Sequence, residues 1–200
     1  MLREVVSEAL AGEMPVEDIV FENEEVLGLD LSGLRFDGVR FVKCRFIRCE
    51  FNAARFNAVC FEDSDVSNCL FKDSLWRRSS FRDSKAVGSV FTRALFKEVA
   101  ISGCNFQYAN FGEMIWDGCG VEASTLREAV VSGVKFRRAR FRDTDLSAAD
   151  FFKSPLKGID LSDCLIDGIT LSDSLAELRG AKVNAMQAAA LAKLLGLIVV

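Results

Sequence analysis

Seven cysteines and no histidine stand among the 200 residues, and together they bound the chemistry. A thiol can attack a carbonyl, exchange disulfides or hold zinc, but the first needs a base and the last needs converging ligands. Without histidine there is no Ser-His-Asp or Cys-His nucleophile, no His-ligated zinc and no imidazole pH switch. No Cys-x-x-Cys motif offers a thiolate alternative. Six of the thiols (Cys44, Cys49, Cys69, Cys104, Cys119, Cys164) are separated by multiples of five, a spacing that points to packing as small apolar residues. Cys60 falls outside that series, in an outward slot, where it is either a reactive thiol or an exposed bystander. Ser64, Ser74, Ser79, Ser84, Ser89, Ser124 and Ser154 share the spacing of the six and have no base beside them. No catalysis, cofactor or metal is expected.

The spacing of five is the organising signal of the chain. Every fifth residue from Phe21 to Leu171 is apolar, 31 positions in succession, and 16 of the 17 phenylalanines are among them. Two residues before each centre, 20 of 31 positions are Ala, Ser, Cys or Thr. The other three slots hold nearly all the charge, glycine and asparagine. A period of five matches neither the 3.6 of a helix nor the 2 of a strand, so one small and one large residue point inward per five and three point out. Half the residues are apolar and 27% charged, a balance unlike that of a disordered chain. The acidic N-terminus has no apolar h-region, and the run 194–200 is far shorter than the ~20 residues of a membrane span. A cytoplasmic location, with reduced thiols and no membrane partner, is the expectation.

Segments such as Phe61-Glu62-Asp63-Ser64-Asp65 and Phe141-Arg142-Asp143-Thr144-Asp145 resemble the pentapeptide-repeat family. The resemblance implies an all-β fold, a right-handed quadrilateral β-helix with four pentapeptides to a coil and one on each face. It covers residues 19–175, between an N-terminal cap (1–18) and a C-terminal module (176–200). At a strand spacing of ~4.8 Å, 31 repeats make a rod of about 37 Å. Each coil buries its ring of large residues only against its neighbours, as in any solenoid.

Past Leu171 the register lapses, and Asn184 followed by Gln187 reads as a capping box opening a helix over 185–195, with Gly196 as its stop and 197–200 as an extended tail. This ending, Leu178-Arg179-Gly180-Ala181-Lys182-Val183 and then Gln187, Leu191 and Leu195-Gly196-Leu197, is similar to the C-terminal segment of quinolone-resistance proteins of the Qnr and MfpA types. There, the segment joins two solenoids tail to tail, and the dimer binds DNA gyrase as a mimic of duplex DNA. What the resemblance implies here is a homodimer through Met186, Leu191, Leu194, Leu195, Leu197 and Ile198, with gyrase as the partner and topoisomerase IV left open as a second one. Fluoroquinolone or topoisomerase-toxin resistance would follow. The register has no break for the protruding loops of Qnr proteins, which places the chain nearer the loopless MfpA type.

A DNA mimic should be acidic along its length, since a duplex carries one charge per ~1.7 Å. Sorted onto four faces, the outward residues are segregated instead. The faces centred on 21–161, 26–166 and 31–171 carry net charges of −3, −1 and −3, and the face centred on 36–156 carries +6. The acidic zone is local: Asp143, Asp145, Asp150, Asp160, Asp163, Asp167 and Asp173 lie beside the proposed seam, against only Lys153 and Lys157. Such a zone fits a gyrase-facing patch, although aspartate in these slots also serves turn amides. The basic face, with Arg35, Arg55, Arg77, Arg78, Lys135, Arg137, Arg138 and Lys157, is the alternative partner site. Direct nucleic-acid binding there is disfavoured, because the interleaved aromatics point inward and leave no stacking platform. A plain interaction scaffold is the remaining reading. Its surface would be Leu75, Leu95 and Ile115, one coil apart, with Leu70, Val90 and Val130 alongside, unless residues 1–18 cover them.

Overall fold

The computed structural model describes residues 1–199, so Val200 of the expected tail lies outside the described residues. The chain forms a four-sided parallel β-helix in which every registered strand pairs with the strand twenty residues on, as in Phe56 with Trp76 and Phe61 with Phe81. The first face is a seven-stranded sheet running from Val16–Glu17 through Arg35–Asp37, Arg55–Asn57, Leu75–Arg77, Leu95–Lys97 and Ile115–Asp117 to Lys135–Arg137. The second, also seven-stranded, runs from Val20–Glu22 to Arg140–Arg142. The third and fourth are held mainly by single bridges, such as Asp65 to Lys85 and Leu70 to Val90. Pairing begins at Val16, which is buried in register with Phe36, three residues ahead of the boundary read from the sequence.

The centres stack into columns along the rod. Phe51, Phe71, Phe91 and Phe111 lie parallel with ring centroids 4.7, 4.8 and 5.3 Å apart. Offset stacking of this kind adds about 0.5–1.5 kcal/mol per pair to area burial. Of the two tryptophans, Trp76 donates its indole N–H to Ser74 Oγ at 2.8 Å, whereas Trp116, which has Met114 at the equivalent place, leaves its N–H without a partner.

The small inward slot selects for a hydrogen-bonding atom as well as for size. Ser64 Oγ lies 3.0 Å from the Phe41 carbonyl and 2.9 Å from that of Glu62, and it accepts the Cys44 amide at 2.9 Å. The Cys44 thiol donates in the same geometry to the Phe21 and Val42 carbonyls. Each corner is turned by a residue in the left-handed region, at every fifth position from Glu13 to Gly158. At Gly38 and Gly103 a side chain would also collide with the carboxylates of Asp18 and Asp83 one coil below.

Helix α1 (Leu2–Gly12) seals the N-terminal end, burying Leu2, Val6 and Ala9 against the first coil. At the other end, residues 172–177 insert two residues into the register. The repeat then resumes, with Lys182 bridged to Asp160 and Leu178 and Val183 standing where the next two centres belong. The sequence alone places 176–183 in the terminal module, whereas in the structure residues 178–183 complete the last coil. Helix α2 (Ala185–Ala192) follows, extended by a 3-10 turn over Lys193–Leu195 and stopped by Gly196 at φ 77°.

Candidate functional site

Helix α2 is seated by polar contacts. Asn184 Oδ1 accepts the Gln187 amide at 2.9 Å, and Gln187 Oε1 accepts the Asn184 amide at 2.8 Å, closing the capping box. The same two side chains reach down to the last coil: Gln187 Nε2 donates to the Leu161 and Cys164 carbonyls, and Asn184 Nδ2 donates to Ser162. In the coils below, the carbonyl equivalent to that of Cys164 accepts an amide from the next coil, as Cys119 does from Arg140, and here Gln187 takes that place. The sequence reading found the cap but not this second use of it. It also missed Glu177, a buried carboxylate that takes the Lys153 amide at 2.8 Å and the Ser172 hydroxyl at 2.8 Å.

With the inward side of α2 held by Gln187, its apolar residues face away from the solenoid. Met186 is 82% exposed, Leu195 68% and Ile198 89%, and Leu194 and Leu197 are more than half exposed. Leu191 differs from the others in being partly buried against the core. A cavity of about 500 Å³ lies between α2 and the last coil, lined by Leu165, Ile166, Met186, Ala190, Leu194 and Val199 among others.

The seven aspartates beside this end are spread over three faces. Asp143, Asp160 and Asp163 belong to the second face, Asp145 and Asp167 to the third, and Asp150 and Asp173 to the fourth. Three of them brace their own turns, accepting the amides of Ser147, Phe152 and Ser162. The Ser162 hydroxyl, ahead of its amide, holds the Asp160 carboxyl below the usual aspartate range. Asp143, Asp163, Asp167 and Asp173 are exposed.

On the first face Arg77, Arg78, Lys135, Arg137 and Arg138 are all exposed. Arg138 pairs with Asp117, whose carboxyl it lowers by direct hydrogen bonding. Arg78 instead donates to Asn57 at 2.9 Å. Among the described residues, Arg55, Arg77, Lys135 and Arg137 are in no ion pair. The outward column Leu75, Leu95 and Ile115 is in register on this face, and α1 sits at the end of the rod rather than over it. Residues 1–12 therefore do not cover the strip.

The six periodic thiols are buried, and burial pushes Cys69 up to about 12 and Cys104, Cys119 and Cys164 to about 11. Held as neutral thiols, they are poor nucleophiles. Cys60 is half-buried on the second face.

The family profile described as pentapeptide repeats matches in eight copies, over residues 30–73, 77–112, 104–143 and 124–163. Among solved structures, a trypsin-treated form of QnrB1, a plasmid-mediated fluoroquinolone resistance protein, superposes with a TM-score of 0.59 at 23% identity, over 94% of this chain and 100% of that one. A second trypsin-treated form gives 0.59 at 26% identity, over 90% of this chain and 89% of that one. Full-length QnrB1 gives 0.50 at 21%, over 92% and 97%. No curated protein sequence matches the chain. The profile spans well over half of the residues, on the same period that the paired coils display, and the chain belongs to the pentapeptide-repeat family.

Proposed function

We propose that the protein dimerises tail to tail through α2 and the residues after it, and that the dimer binds DNA gyrase by presenting its acidic coils in place of DNA. Resistance to fluoroquinolones or to topoisomerase toxins is the proposed consequence, and topoisomerase IV is a second candidate target. The observation that carries this reading is the apolar face formed by Met186, Leu194, Leu195, Leu197 and Ile198, left uncovered beside coils that hold seven aspartates. Contiguous apolar surface bordered by charge marks a protein contact, and a two-fold axis there would set two acidic zones side by side at the middle of a rod. The likeness to QnrB1 supports the same reading. No step of it needs catalysis or a cofactor; the protein acts by occupying a surface.

Titrating the purified protein into a gyrase supercoiling reaction, with and without a fluoroquinolone, tests the proposal. Restored supercoiling under drug is expected of a protective factor. Inhibition without rescue would retain mimicry and remove protection. An unchanged reaction in both arms would reject gyrase as the partner and leave a non-catalytic scaffold.

A further inference from the structure

The first face holds more basic side chains than acids that could pair with them, and among the described residues its one ion pair is Arg138 with Asp117. On the other faces four basic side chains find an acid about one coil away: Arg40 with Glu62, Arg142 with Glu122, Arg45 with Glu25, and Arg93 with Asp73. On the first face Asp117 stands across from Lys97 and Arg137, but two pairs of like charge are also set against each other. Arg35 is directly across from Arg55, and Arg77 directly across from Lys97. Cross-strand like charges are destabilising, so the fold carries a standing repulsion that an anionic partner would relieve.

The same face has an apolar middle. Its first outward column reads Arg35, Arg55, Leu75, Leu95, Ile115, Lys135, all in register. At ~4.8 Å per strand, Leu75 to Ile115 spans about 10 Å and Arg55 to Lys135 about 19 Å. Arg77 and Lys97 flank the apolar stretch on the neighbouring column. A groove of about 480 Å³ opens at the N-terminal end, lined by Arg35, Arg55, Leu75, Arg77 and Arg78, with Glu17 and Asp37 also on its wall.

We propose that this face docks an acidic protein segment with an apolar centre: carboxylates about 19 Å apart, meeting Arg55 and Lys135, with two or three apolar side chains between them on Leu75, Leu95 and Ile115. The apolar column favours protein over nucleic acid. A phosphate backbone uses only the cations, and the aromatics of this face point inward where no base can stack on them. The inference is independent of the proposed dimer and of the acidic coils, because it uses a different face.

The probe is a fluorescein-labelled peptide of about 16 residues, a length of ~24 Å as a helix, with three carboxylates at each end and three leucines between. A control peptide carries serines in place of the leucines, and a duplex and a single strand of DNA serve as nucleic-acid competitors. Fluorescence polarisation at low salt should show the leucine peptide binding at least tenfold tighter than the serine control. Leu75→Ser, at an exposed site, should weaken the leucine peptide about tenfold and leave the control unchanged. Arg55→Glu with Lys135→Glu should abolish both, with circular dichroism reporting that the fold is retained. Equal binding of the two peptides, tighter binding of DNA than of peptide, or no peptide binding at all would each overturn the proposal.

Discussion

Helices α1 and α2 each sit on one end of the solenoid, and they dispose of their apolar residues in opposite ways. Helix α1 turns Leu2, Val6 and Ala9 into the core, while α2 turns in Gln187 and leaves Met186 outside. Both ends face the same problem, an open edge of strands with unpaired backbone groups and an exposed ring of large residues. At the N-terminus burial solves it, helped by Arg3 donating to the Leu27 carbonyl and Arg35 to that of Glu13. At the C-terminus hydrogen bonding solves it, with Glu177, Asn184 and Gln187 standing in for the coil that does not follow. The end closed by burial still leaves Leu10 of its helix outside, while the one closed by polar contacts leaves Met186, Leu194 and Leu195 exposed together.

The largest effect should come from spoiling the C-terminal end. Leu195→Asp with Ile198→Asp removes two apolar burials from the proposed seam, about 1.5–3 kcal/mol each per protomer, and would bury charge in their place. Sedimentation should show dimerisation weakened by at least ~1,000-fold, or about 4 kcal/mol, with the melting of the coils unchanged. Both residues are exposed, so a loss of fold is not expected. Leu191 is a poorer choice than its neighbours because it packs partly on the core. Dimers that survive, or a wild-type protein that is monomeric, would erase the difference between the two ends.

At the N-terminal end, Leu2→Ala should cost about 3 kcal/mol, the range for truncating a buried leucine. In a solenoid the loss is felt first by the nearest coil. Hydrogen exchange should quicken at Arg40 and Arg55, whose amides bond into the first coil at Ile19 and Leu34, while coils beyond residue 100 keep their protection. The oligomeric state should not change. A shift in sedimentation from this variant would place α1 in the assembly as well.

The period of five, the small slot and the helix over 185–195 were legible because each rests on one residue type recurring at one spacing. Gly196 as the stop, and the pairing of Asn184 with Gln187, were legible for the same reason. The two-residue insertion was not, since Leu178 and Val183 keep the spacing of five but in a new phase, behind residues 172–177, which break the old one. The hydrogen bonding of the small slot was hidden behind the size of Ser and Cys, which satisfies either explanation. Burial of Glu177 could not be read at all, because a lone glutamate in a polar stretch has no pattern; only the missing rung above Lys153 explains it. The segregation of charge by face followed from simple arithmetic, but that Arg138 with Asp117 is the one ion pair of the first face among the described residues depends on side-chain reach across coils.

A smaller loss is expected from Gln187→Ala. The side chain gives up the bonds to Leu161 and Cys164 and half of the capping box, a cost of about 2 kcal/mol. Amides of α2 should lose protection while the columns of phenylalanine keep theirs. If α2 carries the seam, the same change should also weaken the dimer, because the helix would have to be ordered on binding. Coils that melt together with α2 would mean that the two are one cooperative unit.

The smallest effect is a pH dependence confined to the same end. In each coil below, the amide three residues before the next small slot's partner finds a carbonyl above it, as Gly133 does at Phe152 and Glu113 at Ser132. Lys153 has no such carbonyl within the departing chain and bonds Glu177 Oε1 instead. Desolvation is the largest single influence on this carboxyl and pushes it up. Hydrogen bonds from its own amide, the Ser172 hydroxyl, and the Lys153 and Ser172 amides together outweigh that and leave it below the usual glutamate range. A carboxyl whose folded pKa is depressed stabilises fully above its unfolded pKa, about 4.3, and the contribution drains away as pH falls through the folded value. Protection of the Lys153 amide should therefore hold from neutrality to about pH 5 and decline below it. In Glu177→Gln, which keeps an acceptor but cannot titrate, that acid-side decline should vanish. No such step is expected at the N-terminal end, where α1 buries only apolar side chains. An equal acid response at both ends would mean that the C-terminal edge does not depend on its carboxylate.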